Sequence, residues 1–336
     1  MSQPSRPRVL SGMRPTGKLH LGHLLGALDN WVPMQDEYET YYCIVDWHAL
    51  TTDYADTRDI RESTFETAVD WLAAGLDPNR STLFIQSHVP EHAELHLLLS
   101  MVVPLPWLER VPTYKEQLEQ ITEKDLHTYG FLGYPLLQTA DIIIYKAKVV
   151  PVGEDQKPHL ELAREIVRRF NNFYGPVFPE PEIKLTPTPR VPGTDGRKMS
   201  KSYRNTLNLS DDEPTLREKL RTMVTDPARK RRSDPGNPDI CPVFDLHKAF
   251  SSPSTQTWAA EGCRSAGIGC IECKQALADH LVPRLAPLRE KRQQYLAQPE
   301  SVWETLEDGA ARARRVAGAT MEEVREAIQL PLRRRK

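Results

Sequence analysis

The sequence predicts an α/β fold: a parallel sheet covered by helices on both faces, followed by an all-helical C-terminal domain. Two observations carry this. Short apolar runs alternate with amphipathic stretches through the first half of the chain. Beyond about Asp211 strand signals vanish, and helical periods run to the end. A length of 336 residues fits one large domain plus a smaller one. The division is placed between residues 1–205 and 206–336.

Residues 8–12 (RVLSG) are short and apolar and end in Ser-Gly, a buried strand entering a loop. From 20 to about 39, apolar residues recur at Leu21, Leu24, Leu25, Leu28 and Val32, the period of a helix. Residues 41–46 (YYCIVD) predict a second strand, 63–74 a helix, and 82–86 (TLFIQ) a third strand. Helical periods follow over 91–101, over 107–121 with an interruption at Pro112, and over 136–145. Residues 149–152 predict a fourth strand and 154–170 an amphipathic helix. Six prolines (Pro176, Pro179, Pro181, Pro187, Pro189, Pro192) then predict irregular chain up to Asp195.

A net charge of −2 gives the whole chain no attraction for a polyanion, yet basic runs stand at 229–232, at Arg312, Arg314 and Arg315, and at 333–336. Each is read first as a solvated face, and those near Arg229 and Arg312 as candidate phosphate contacts. No segment approaches the roughly 20 apolar residues that span a bilayer, and the N-terminus lacks the apolar region of a signal peptide. Five unevenly placed cysteines argue against a secreted disulfide scaffold. A cytoplasmic protein is expected. Cys43, within an apolar strand, is expected to be a buried small hydrophobe.

Two segments carry chemistry. The first, residues 11–23 (SGMRPTGKLHLGH), joins the first strand to the first helix. There a helix N-terminus offers unpaired N–H groups and partial positive charge to a triphosphate. Gly22 leaves room for a ring or ribose against the backbone. His20 and His23 share one helical face, and both are able to donate to phosphate oxygens. Alone, the segment fits equally well a capped helix with two surface histidines; the strand–loop–helix setting favours the nucleotide. The second segment, residues 198–202 (KMSKS), sets Lys198 and Lys201 three apart on a loop after Gly193 and Gly196. Such lysines neutralise charge developing on a polyphosphate, a contact worth about 3 kcal/mol in the transition state.

Together these segments resemble the HIGH and KMSKS signatures of class I aminoacyl-tRNA synthetases, as His20-Leu-Gly-His23 and Lys198-Met-Ser-Lys-Ser202. The resemblance implies a Rossmann-type catalytic domain, Mg-ATP as substrate, and a two-step reaction through an aminoacyl-adenylate. It assigns catalysis to His20, His23, Lys198 and Lys201. It assigns ATP contacts to Arg14, Pro15, Thr16, Gly22, His23, Gly153, Glu154, Asp155, Val191, Lys198, Met199, Ser200, Lys201 and Ser202.

Three further segments look like the tryptophanyl group of that class: residues 46–52 (DWHALTT), 133–141 (GYPLLQTAD) and 150–162 (VPVGEDQKPHLEL). By that resemblance Asp141 accepts the indole N–H, Tyr134 and Gln156 contact the amino-acid head, and His48 and Gln138 line the pocket. The spacing agrees: Tyr134, Gln138 and Asp141 lie at i, i+4 and i+7 on one helical face. An indole N–H needs one acceptor, and a buried carboxylate needs partners. An aspartate bonded to backbone or capping a helix is the plainer reading of Asp141, as a satisfied core histidine is of His48. Gln138 stands where the better-known tryptophanyl pattern has methionine. Archaeal and eukaryotic tyrosyl enzymes carry Tyr-x-x-x-Gln-x-x-Asp, which keeps a tyrosyl alternative open.

Cys241, Cys263, Cys270 and Cys273 form C-x21-C-x6-C-x2-C. Four thiolates suit a [4Fe–4S] cluster or a zinc ion. A subset of the tryptophanyl group resembles this pattern, with a first gap one residue longer, and carries the cluster. The resemblance also implies tRNA(Trp), L-tryptophan and ATP as partners, anticodon-facing C-terminal helices and a homodimer, with no membrane or DNA. Two alternatives of other classes remain: a small-molecule nucleotidylyltransferase, and a non-catalytic RNA- or tryptophan-binding paralogue. Intact His20, His23, Lys198 and Lys201 speak against the latter.

Overall fold

The computed structural model describes residues 6–121, 123–186 and 191–331. Pro187, Pro189 and the basic run 333–336 lie outside them. Strand β1 (Arg8–Met13) leads through a loop into a helical stretch made of α1 (Leu21–His23), a π turn (Leu24–Leu28) and α2 (Asp29–Glu37). Next come β2 (Glu39–Ile44), α3 (Asp46–Asp53), α4 (Ile60–Ala74), β3 (Ser81–Ile85) and α5 (Glu91–Ser100). Short helices α6 (Leu105–Glu109), α7 (Pro112–Gln120) and α8 (Tyr129–Leu132) precede α9 (Tyr134–Ile143). Then follow β4 (Val149–Val152), α10 (Lys157–Tyr174) and β5 (Glu182–Leu185). The remainder is helical: α11 (Glu213–Thr222), α12 (Pro242–Phe250), α13 (Pro253–Arg264), α14 (Cys270–Leu296) and α15 (Pro299–Ala327).

The strands form one parallel sheet in the order β3-β2-β1-β4-β5. Alternate residues of β2 enter opposite cores, Tyr42 and Ile44 on one face and Tyr41 and Cys43 on the other, so both faces are covered as expected. Cys43 is fully buried. The order reverses between β1 and β4, and a crevice at that switch, at the carboxyl ends of the strands, is where such sheets bind ligands.

Two elements were not among those predicted, one of them within the stretch expected to be irregular. Residues 46–52 form most of α3, whose turn is set by Asp46 accepting the N–H of Trp47 (3.1 Å) and of Ser87 (3.0 Å). The proline-rich stretch contains β5, an edge strand that needs one partner only, paired to β4 from Val149↔Glu182 to Val152↔Leu185. The π turn was also unexpected. Asn30 Nδ2 donates to the Leu25 and Gly26 carbonyls there (both 3.3 Å), and Gly26 and Ala27 face the crevice.

The C-terminal helices close back on the sheet. Arg292 of α14 is buried against α4, with Nε donating to Asp70 (2.7 Å) and a second nitrogen to Glu66. Helix α15 contributes Val302 and Leu306 to one core and Ala310, Ala313 and Ala317 to the other. It crosses the β3 edge at Gly309, where a Cβ would lie 1.7 Å from the Leu83 carbonyl oxygen. Only glycine permits that crossing.

Candidate active site

At the end of β1 the chain turns into α1 with His20 as its cap. His20 Nδ1 accepts the Gly22 N–H (3.1 Å), and His23 Nδ1 accepts the His20 N–H (3.2 Å). Because both Nδ1 atoms accept, each neutral ring carries its proton on Nε2, a donor. Burial first, then the Lys201 charge, brings His20 down to about 4. Burial, then His20 and Lys201, hold His23 well below the usual imidazole range. Two uncharged donors therefore stand side by side, ring centroids 4.0 Å apart. The space that a side chain on Gly22 would need is taken by the His20 ring itself, 2.9 Å from a Cβ there. Packing under His20 explains this glycine, where the sequence suggested a bed for a ring or ribose.

Lys201 reaches the loop before these histidines, with Nζ donating to the carbonyl of Gly17, 184 residues away in sequence, at 2.8 Å. Burial brings the ammonium down to about 8, against the pull of Asp70 and with a further push from Arg14. The two segments are strapped together by backbone: Leu21 N–H to the Leu207 carbonyl (3.0 Å) and Leu209 N–H to that of Leu19 (2.9 Å). Buried Asn205 shapes the lysine loop, donating to Asp195 (2.7 Å) and the Lys198 carbonyl (3.2 Å) and accepting the Ser200 N–H (2.8 Å).

The other residues expected around ATP divide into groups. Arg14 donates to Thr52 and pairs with Asp53 (3.5 Å). It lines both a cavity of about 360 Å³ in the crevice and an adjoining one of about 790 Å³, the latter shared with Pro15, Thr16, Lys18, Glu66 and Lys201. Gly153 lines the first cavity. Glu154, Asp155 and Lys198 are exposed and stand in neither cavity wall. Val191 and Met199 have their side chains in the core, joined by Met199 N–H to the Val191 carbonyl (2.9 Å). The side chain of Ser202 lies outside what the structure describes.

At the other end, α9 presents Tyr134, Gln138 and Asp141 to the 360 Å³ cavity together with His48 and Gln156. Pro135, in the first turn of α9, fixes the start of that helix. Asp141 is 3 % exposed and held by side chains alone: His48 Nε2 (2.9 Å), His92 Nδ1 (2.6 Å) and Gln86 Nε2, which donates to both oxygens at 2.8 Å. Burial by itself raises this carboxyl. The hydrogen bonds from His48 and His92 outweigh it and hold the group below the usual carboxylate range. The Tyr134 hydroxyl, kept protonated by burial, joins Thr113 (2.8 Å) and His159 Nε2 (3.0 Å), which are themselves 2.9 Å apart. Gln86, His92, Thr113 and His159 were not among the expected site residues. Only His159 had any local signal, two positions before Glu161 in the third family segment.

The cysteines fall within electrostatic reach of one another, Cys241 buried and the other three partly so. Among the described residues, no three His, Cys, Asp or Glu side chains are gathered tightly enough to hold one metal ion. The basic runs also need correction. Arg229 is buried and donates to the carbonyls of Arg232 (3.1 Å) and Ile268 and to Cys263 Sγ (3.8 Å). Arg312 caps the carbonyls of Pro78 (2.8 Å) and Ser81 (3.1 Å). Both are occupied with the fold; their neighbours Lys230, Arg231, Arg314 and Arg315 are exposed.

Comparison with known proteins agrees with this geometry. Residues 2–286 match the family model of class I tRNA synthetases for tryptophan and tyrosine. The tryptophan–tRNA ligase of Thermotoga maritima is 54% identical, over 96% of this chain and 99% of its own length. That of Ralstonia nicotianae is 47% identical, over 96% and 98%. A tryptophanyl-tRNA synthetase from Campylobacter jejuni, solved with ADP and tryptophan, superposes with a TM-score of 0.86 at 34% identity, covering 96% of this chain and all of that one. Gln138 therefore sits within a chain whose near full-length likeness is to tryptophan enzymes. The chain belongs to the class I tRNA synthetases of the tryptophan and tyrosine type, in the family of the tryptophan–tRNA ligases.

Proposed function

We propose that the protein activates L-tryptophan with Mg-ATP, forming tryptophanyl-adenylate and pyrophosphate, and then transfers the tryptophanyl group to tRNA(Trp). Lys201 reaches the loop that leads into the paired His20 and His23 and lines the cavity that adjoins, through Arg14, the one holding Asp141; this carries the reading. The attacking carboxylate is already ionised at neutral pH, so no general base is required. What the reaction needs is stabilisation of charge as the α-phosphate bond to pyrophosphate breaks. Two neutral Nε2–H donors and one ammonium supply it, and Lys198 joins them when the loop closes on ATP. Arg14, Pro15 and Thr16 flank the phosphates, and Gly22, Gly153, Glu154, Asp155, Val191, Met199, Ser200 and Ser202 complete the ATP site. Asp141 accepts the indole N–H, His48 orients Asp141, Gln138 lines the slot, and Tyr134 and Gln156 take the amino-acid head.

Residues 1–205 carry the chemistry and 206–336 face the tRNA anticodon, with exposed Lys230, Arg231, Arg314 and Arg315 as phosphate contacts. Cys241, Cys263, Cys270 and Cys273 would hold a [4Fe–4S] cluster as a structural staple. The four thiols lie within electrostatic reach of one another, and the cations Arg229 and Lys274 beside them would balance thiolate charge. A homodimer acting in the cytoplasm completes the reading; no helix of the described residues is long and apolar enough to cross a membrane.

Tryptophan-dependent ATP–pyrophosphate exchange, followed by charging of purified tRNA, is the test. Exchange with both steps present excludes a nucleotidylyltransferase and a non-catalytic paralogue; activation of tyrosine in place of tryptophan overturns the reading. Anaerobically purified protein should be brown with iron bound, and a colourless, zinc-loaded preparation contradicts the cluster.

A further inference from the structure

Helix α5 places His92 fully buried and outside both cavities, yet its ring bridges the site to the core. Nδ1 lies 2.6 Å from Asp141 Oδ1 and Nε2 lies 2.6 Å from the Tyr145 hydroxyl. A carboxylate only accepts, so the Nδ1 atom carries the proton, and Nε2 takes the Tyr145 O–H. Tyr145 is itself fixed. It is fully buried, stacks on Tyr41 with centroids 4.7 Å apart, and meets Phe84 edge-on at 5.6 Å.

Three donor groups thus make four contacts, two on each oxygen, with a carboxylate that accepts about four hydrogen bonds. The Gln86 nitrogen is shared between the two oxygens, and Asp141 itself lines the cavity. A carboxylate turns easily about its last torsion, whose preferences are broad. Donors gripping both oxygens stop that rotation and fix the direction in which the carboxylate accepts. They also keep the group from taking up a proton, which would turn an acceptor into a donor and reverse its preference for an N–H. His92 makes the shortest of the contacts to Asp141, at 2.6 Å, and is anchored in turn by the Tyr145 hydroxyl.

We propose that His92, backed by Tyr145, is a positioning residue that sets selectivity for the indole N–H by locking Asp141 as an oriented, ionised acceptor. This rests on the reading of Asp141 as the group that takes the indole N–H. Sites built to bond a substrate N–H reject analogues that lack it, because the buried partner is then left unpaired.

The experiment compares kcat/KM in ATP–pyrophosphate exchange for L-tryptophan and for β-(1-benzothiophen-3-yl)-L-alanine, in which sulfur replaces the N–H. The wild-type protein should prefer tryptophan strongly. His92→Phe loses about tenfold to a hundredfold in kcat/KM for tryptophan, chiefly through KM, as expected for a bond to a charged acceptor. The sulfur analogue is nearly unaffected, so the ratio collapses. His92→Asn, which restores a donor near Nδ1, recovers most of it, and Tyr145→Phe shifts the ratio in the same direction by less. Equal loss for both substrates with His92→Phe, or an unchanged ratio, overturns the proposal. If His92→Phe does not fold, Tyr145→Phe decides, and an unchanged ratio there overturns it. Asp141→Ala separates the two layers. A wild-type ratio in Asp141→Ala removes the underlying reading, whereas collapse there with an intact ratio in His92→Phe removes only this one.

Discussion

The two ends of the crevice are built on opposite principles. At the phosphate end, neutral histidines and one cation hang on a loop and a helix cap, and burial moves each of them toward the uncharged form. At the indole end, a single charge lies deep in the core, kept ionised by partners on both oxygens. The first end must respond to charge that appears during a reaction, so two of its donors are neutral and its one ammonium is held close to losing its proton. The second must recognise an uncharged heterocycle that does not change, so its acceptor is fixed in advance. The difference teaches where rigidity and where responsiveness is needed within a few side chains of each other.

The largest effect should come from the responsive end. Lys201→Met should lower kcat for tryptophan-dependent ATP–pyrophosphate exchange by about 100- to 1,000-fold, leaving KM for tryptophan nearly unchanged. A matching rise in KM for tryptophan would merge the two ends into one. Next, Asp141→Ala should reduce kcat/KM for tryptophan on the order of a hundredfold, mostly in KM, with KM for ATP retained. Loss carried by kcat would place Asp141 in the chemistry.

A smaller effect should appear with pH. Lys201 is protonated below about 8 and neutral above, so kcat/KM for ATP should fall as pH rises through that value, by about tenfold for each further unit. His20, held down to about 4, stays neutral from pH 5 upward and should add no acidic limb near the usual imidazole value. Lys201→Arg should abolish the alkaline limb; its persistence would assign the limb elsewhere. The smallest effect is expected from Asn205→Ala, which frees the lysine loop from Asp195 and Ser200. About 1 kcal/mol, roughly fivefold in KM for ATP, should be lost, with tryptophan binding untouched.

Legibility in the sequence divides along the same line. Elements with strong periods came through: the four apolar strand runs β1 to β4, the break at Pro112, and the face of α9 that gathers Tyr134, Gln138 and Asp141. The phosphate end was legible because its groups sit in two short segments. The shell around Asp141 was not, because Gln86 and His92 reach it across 55 and 49 residues and leave no local pattern. Strand β5 escaped because an edge strand half-exposed among prolines shows no apolar run. Charge runs misled for a related reason: a string of arginines does not say which guanidinium turns inward, and Arg229 and Arg312 both do.

A crystal structure with a non-hydrolysable ATP analogue and tryptophan tests the convergence at the phosphate end most directly. His23 Nε2 and Lys201 Nζ should each lie about 3 Å from oxygens of one triphosphate. A triphosphate bound out of reach of either group would contradict it.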